Sequence, residues 1–166
     1  MKNPPDCSHL LIIQDDTVPV PGMPEVLGKI ARDVPVCLFI ARLPRDTKPR
    51  TDQAMKMGRR YVRLSQRSFM PVVATLWPID KMVEFDAWTE ENSYLPGQRE
   101  PRSDDAMAGR WKMINRQEVL ATVPSIVQHP DTEPSTIRLA RMNGTDRSRM
   151  AAHLAADARD YDWSMP

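Results

Sequence analysis

Glycine is scarce in this chain, six residues in 166. None of the six forms part of a glycine-rich phosphate loop of either common type, so neither nucleotide cradle is present. No Gly-x-Ser-x-Gly elbow occurs, which removes the hydrolase built on that turn. Cysteine is scarcer still, two residues, alongside three histidines. Scattered as they are, they cannot form a structural zinc site of ordinary spacing. Two cysteines at this length imply no disulfide framework, and Cys37, inside an apolar run, reads as a small core residue. A net charge of +1 gives no reason to invoke a nucleic-acid or membrane partner. The longest apolar runs are far too short to span a bilayer, and no basic, apolar leader opens the sequence. A cytoplasmic chain without a membrane segment is expected.

Proline, by contrast, is plentiful at 16 residues. Each one removes a backbone donor, so many strand ends and stiff loops are expected. Hydrophobic residues at 41% and charged residues at 27% fit one globular domain over 1–166.

Leu10 to Ile13 reads as a first strand. Met23, Val26, Leu27 and Ile30 recur at helical spacing within Gly22 to Arg32. Pro35 to Leu43 is apolar on both faces, a pattern suited to a parallel sheet covered by helices. A long basic excursion follows over 44–70, holding Arg45, Lys48, Arg50, Lys56, Arg59, Arg60, Arg63 and Arg67. It is expected to lie outside the sheet, with one short helix around Asp52 to Met57 and Gly58 as its C-cap. Pro71 to Pro78 reads as a third strand, with Trp77 at its end facing a cleft. Ile79, Met82, Val83 and Trp88 mark an amphipathic helix. Ser103 is a good N-cap for another helix, with Asp104 and Asp105 in its first turn. Glu118 to His129 reads as a fourth strand and the turn beyond it. The remainder, 142–166, is expected to hold a short helix and a loosely held tail. The order is that of an α/β fold, with a mostly parallel, Rossmann-like sheet expected.

In open α/β sheets, ligands gather at the carboxyl ends of strands. Asp15 and Asp16 end the first strand, and His129 follows the last. Adjacent aspartates close many strands simply by bonding nearby amides. They also repel one another unless something positive sits beside them, and a divalent cation would serve. A histidine past a strand is more often a satisfied surface group than a ligand. Here it ends on an edge like that of the two aspartates, and mixed carboxylate and imidazole ligation favours Mn²⁺ somewhat over Mg²⁺. The helix dipole accounts for Asp104 and Asp105 without any function, and the functional alternative is a base that deprotonates an acceptor hydroxyl. The basic excursion is most simply a solvated face, and with few aromatics to stack bases it makes a nucleic-acid partner a weak expectation.

Taken together, "HLLIIQDDTVPVPGMPEVL", "VPVCLFI", "VVATLWP", "PRSDDAMAGRW" and "LATVPSIVQHPDTEPSTI" resemble a group of small glycosyltransferases met in bacteriophages and actinobacteria, similar to GT-A-type enzymes. The resemblance covers the core, 8–141. It implies a nucleotide-sugar donor, Mn²⁺ or Mg²⁺, and transfer of the sugar to an acceptor, in the host cytoplasm if the chain is phage-encoded. It further implies that Asp15 and Asp16 bridge the metal and the donor diphosphate. His129 would add a metal or diphosphate contact, and Asp104 or Asp105 would serve as the acceptor-side base. Arg110, Arg138 or Arg141 would face the leaving diphosphate. Such enzymes carry a large part of the nucleotide-binding fold ahead of the acidic motif, whereas nine residues precede Leu10 here. A longer reading frame or a partner chain is expected to supply that part, or catalysis to be lost. A sheet edge left open invites a homo-oligomer or a partner chain. The rival expectations are a non-catalytic interaction protein that keeps the fold, and a basic nucleic-acid-associated phage protein.

Overall fold

The computed structural model describes residues 6–41, 48–65, 72–92, 104–129 and 150–165. The described elements are β1 (His9–Ile13), β2 (Val18–Pro19), α1 (Met23–Ile30), β3 (Val36–Cys37), α2 (Lys48–Lys56), β4 (Tyr61–Arg63), β5 (Ala74–Pro78), α3 (Ile79–Asn92), α4 (Asp104–Ile114), β6 (Leu120–Thr122) and β7 (Val127–Gln128). Five of the strands form one sheet in the order β1-β5-β3-β6-β4, and β2 and β7 form a separate ribbon.

Side-chain alternation gives this sheet two apolar faces. Leu11, Val36, Leu38, Leu76, Leu120 and Tyr61 point into one cluster. Their chain neighbours Ile12, Cys37, Trp77, Ala121 and Val62 point into the other. The first face is covered by α1, through Met23, Val26 and Ile30, and by Ala155, Ala158 and Trp163 near the C-terminal end. The second takes Ala54 of α2, Ala108 and Trp111 of α4, and Met82, Phe85 and Trp88 of α3. Trp77 stacks on Phe85 with centroids 5.2 Å apart and meets Trp111 at 5.5 Å. At 1% exposure it is core, not the wall of a cleft.

The expected α/β class is present, but the mostly parallel, Rossmann-like sheet is not confirmed. β5 runs antiparallel to both β1 and β3, and β4 antiparallel to β6, leaving β3–β6 as the parallel pair among the described strands. An apolar run on both faces reports that both faces are covered; strand direction is set by the connections, which the run does not encode. The run from Val36 to Ile40 is wholly buried, yet ladder pairing covers only Val36 and Cys37. Beyond them the backbone changes partners: Leu38 N donates to Ala74 O, Ile126 N to Leu38 O, and Ile40 N to the Ser125 hydroxyl.

Two further expectations are corrected. The basic excursion does not stay outside the sheet, because β4 lies within it and Tyr61 and Val62 are buried. Nor is the tail loosely held. Trp163 is fully buried, its indole N–H donates to Ala158 O at 2.7 Å, and its carbonyl accepts from Tyr61 Oη and from Arg32 Nη2, each at 2.8 Å. One large aromatic side chain offsets the cost of ordering a polar segment. The Arg32 guanidinium also lies over the Tyr61 ring, 4.8 Å from its centroid, and caps Lys29 O at the end of α1.

Gly22, the N-cap of α1, has φ +74°, and a Cβ there would sit 2.6 Å from both Arg159 Cγ and Asp157 Oδ1. Gly58, after α2, has φ +68° with open space around it. Gly58→Ala is therefore expected to lose about 1–2 kcal/mol, the backbone cost of a left-handed residue. Gly22→Ala pays that cost and displaces the C-terminal segment as well, so urea unfolding should rank it clearly below Gly58→Ala. Equal losses would show that the contact with 157–159 is slack. The cysteines give a second check. Burial pushes the Cys37 thiol up to about 12, against smaller opposing effects of the Thr75 hydroxyl and the Lys112 charge, whereas Cys7 is exposed. A thiol reagent at neutral pH should titrate one group in the native protein and the second only after denaturation. Rapid reaction of both without denaturant would contradict the buried position of β3.

Candidate functional site

β1 ends at Ile13, and the chain turns at Asp15 and Asp16, where the Thr17 hydroxyl donates to Gln14 O at 2.7 Å. Both aspartates thus sit in a turn, as the plain structural account expects. The turn then feeds β2. In the ribbon, Val18 lies opposite Gln128 and Pro19 opposite Val127. That register carries the residues just before β2 toward those just after β7, so Asp16 meets His129. Nε2 of His129 lies 3.0 Å from Oδ2 of Asp16. The imidazole is 4% exposed and the carboxylate 50%.

This arrangement joins a buried nitrogen donor to an oxygen donor that reaches solvent. Two of the three residues expected to hold a metal are therefore brought together. Asp15 is exposed in the same turn. Among the described residues, no group of three or more His, Cys, Asp and Glu side chains gathers in a metal-holding arrangement. A carboxylate with an imidazole is a donor set that would suit Mn²⁺ somewhat better than Mg²⁺.

Asp104 and Asp105 occupy the first turn of α4, as expected, and Asp105 Oδ1 accepts from Ala106 N at 2.7 Å. Asp104 is exposed and Asp105 partly so. Arg110 lies on the same helix, partly exposed. Arg138 and Arg141 lie outside the described residues. Within the basic stretch, Arg63 pairs with Glu118 at 2.7 Å, and the Arg60 guanidinium lies 5.1 Å from the centre of the Tyr161 ring. Part of that charge is thus engaged in packing.

Sequence reasoning missed a second histidine–carboxylate contact. Nε2 of His153 lies 2.8 Å from Oδ1 of Asp52, whose other oxygen accepts from Lys48 Nζ at 2.6 Å. The first member stands in the C-terminal segment and the second on α2, and no local pattern connects them. The same segment reaches the ribbon, for Ala151 N donates to Gln128 Oε1 and Ser125 N to His153 O, both at 2.8 Å. Gln128 precedes His129, so the segment that fills the first face of the sheet also braces the strand beneath the Asp16–His129 pair.

No helix among the described residues is long and apolar enough to cross a membrane. Comparison of the chain with protein-family models, with curated proteins and with solved structures finds no match.

The Lys48 ammonium first, and the His153 ring second, hold the Asp52 carboxyl below its ordinary value of 3.8. A carboxyl lowered on folding contributes stability above its unfolded pKa and loses it as pH falls through the folded value. Asp52→Asn should therefore lower Tm near neutrality, with the gap to wild type closing as the pH drops below 3.8. A gap that persists unchanged into that acid range would assign the loss to packing and not to charge.

Proposed function

We propose that the chain is a metal-assisted glycosyltransferase, moving a sugar from a nucleotide-sugar donor to an acceptor. One observation carries the reading: the buried His129 imidazole and the half-exposed Asp16 carboxylate stand 3.0 Å apart, at a strand end and open to solvent on the carboxylate side. The resemblance of the strand ending in "QDD" and of the "PSIVQH" segment to the small glycosyltransferases supports it from the sequence.

Asp16 and His129 would hold the cation, and Asp15, exposed in the same turn, would add negative charge nearby. A bound divalent cation would supply Lewis-acid stabilisation of the charge that grows on the diphosphate as the sugar leaves. The protein's own part is to fix the donor. Burial keeps the imidazole in one orientation, and the ribbon register fixes its distance from Asp16. Asp104 or Asp105, in the first turn of α4, would take the acceptor's proton. Arg110, Arg138 or Arg141 would face the leaving diphosphate, where a positive group helps most if it is held in place beforehand.

Titration calorimetry with Mn²⁺ and a panel of nucleotide sugars tests the reading. Wild type should bind a nucleotide sugar only with the metal present, and chelation should reverse the binding. Asp16→Ala should abolish it while Cys37 stays protected, as should His129→Gln. Binding undiminished in Asp16→Ala, or no metal-dependent binding by wild type to any of the donors, would remove the assignment.

A further inference from the structure

The two edges of the five-stranded sheet are built differently. β4, at one edge, is three residues long, carries the exposed Arg63 and follows Arg59 and Arg60. Short length and charge are the ordinary means of keeping an edge from pairing. β1, at the other edge, has neither. It is the five-residue stretch His9-Leu10-Leu11-Ile12-Ile13, without a formal charge, a proline or a glycine.

The hydrogen-bond register shows which groups of β1 are unused. Gln14 N donates to Val73 O, and Ile79 N donates to Ser8 O. Residues 8, 10, 12 and 14 therefore face β5, given the pairing of Leu10 with Trp77 and Ile12 with Thr75. The backbone N–H and C=O of His9, Leu11 and Ile13 point the other way, and none of them has a backbone partner among the described residues. The side chains along this edge are only partly covered, and that of Ile13 is 39% exposed.

We propose that β1 pairs through this edge with β1 of a second copy of the chain, antiparallel across a two-fold axis, so that two five-stranded sheets become one. The free row of alternating donors and acceptors calls for a β-strand. Both apolar clusters run out to β1, Leu11 on one face and Ile12 on the other, so the incoming strand must be apolar on both sides. β1 itself meets both requirements. A two-fold axis at Leu11 sets His9, Leu11 and Ile13 of one copy against Ile13, Leu11 and His9 of the other. That arrangement matches every outward donor with an acceptor and opposes no like charges within the strand. The chain turns away at Asp15 and Asp16, which limits the pairing to this segment and leaves the ribbon outside it.

Sedimentation velocity over a range of concentrations tests the pairing, with amide hydrogen exchange as the residue-level readout. Wild type should approach twice the 19.0 kDa chain mass on concentration. Ile13→Lys, which places a charge on the exposed side of the edge, should remain at the chain mass with Cys37 still protected. In wild type, the amides of Leu11 and Ile13 should become slow as the dimer forms, while those of Leu10 and Ile12 are slow at every concentration. The exchange measurement needs no variant and stands even if Ile13→Lys folds poorly. A wild type that stays at the chain mass, a dimer in which Leu11 and Ile13 exchange freely, or an edge that pairs only with a strand of some other protein would each overturn the proposal.

Discussion

The central strands of this protein have no polar face, and that constraint governs everything packed around them. Val36 to Ile40 are at most 3% exposed, with Val36 and Leu38 in one apolar cluster and Cys37 and Ile40 in the other. A sheet with only one cover would leave half of those side chains in water, at roughly 25 cal/mol for each Å² of apolar surface. The chain must therefore bring two layers to it. α3 and α4 supply one of them, together with Ala54 and Met55 of α2. The other is assembled from α1 and a segment some 130 positions further on, with Trp163 as its anchor.

The Asp16–His129 contact is a by-product of the same construction. The ribbon of β2 and β7 is only two residues wide in register and would have little stability alone. It is held because Val20 N donates to Ile126 O beside it, and because the C-terminal segment bonds Ser125 and Gln128. A buried imidazole is useful to a site only when its surroundings keep it still, and here those surroundings come from three distant parts of the sequence. Rigidity at the site and completeness of the core are thus one requirement.

The sequence was informative where its pattern was long. β1, α1, β5, α3 and α4 each carry several residues of regular apolar spacing, and each is found close to its expected place. That Asp16 and His129 come close was expected from their places past strand ends, but the ribbon of β2 and β7 that brings them together was not, because two residues per strand leave no pattern to read. Strand direction was not, since alternation describes the faces of a sheet and is silent on the order in which strands are laid down. β4 was hidden because two apolar residues between arginines give no period to read. Trp163 is a core candidate on residue type alone, and it is buried, but the polar stretch around it has no apolar period to show that the tail is tied down with it. The His153–Asp52 contact was beyond reach for a related cause: it joins a polar segment to the middle of a charged helix, and each residue is unremarkable where it stands.

Tyr61, Arg32 and Trp163 meet in one knot although they lie far apart along the chain. Contacts of such long sequence separation yield their stabilisation only after most of the loop entropy has been spent. During synthesis, therefore, α1 and the early strands must wait with one side uncovered until the far anchor has left the ribosome. The first layer closes last, and a nascent chain halted before that tryptophan would display its bare sheet face to chaperones and to other unfinished chains.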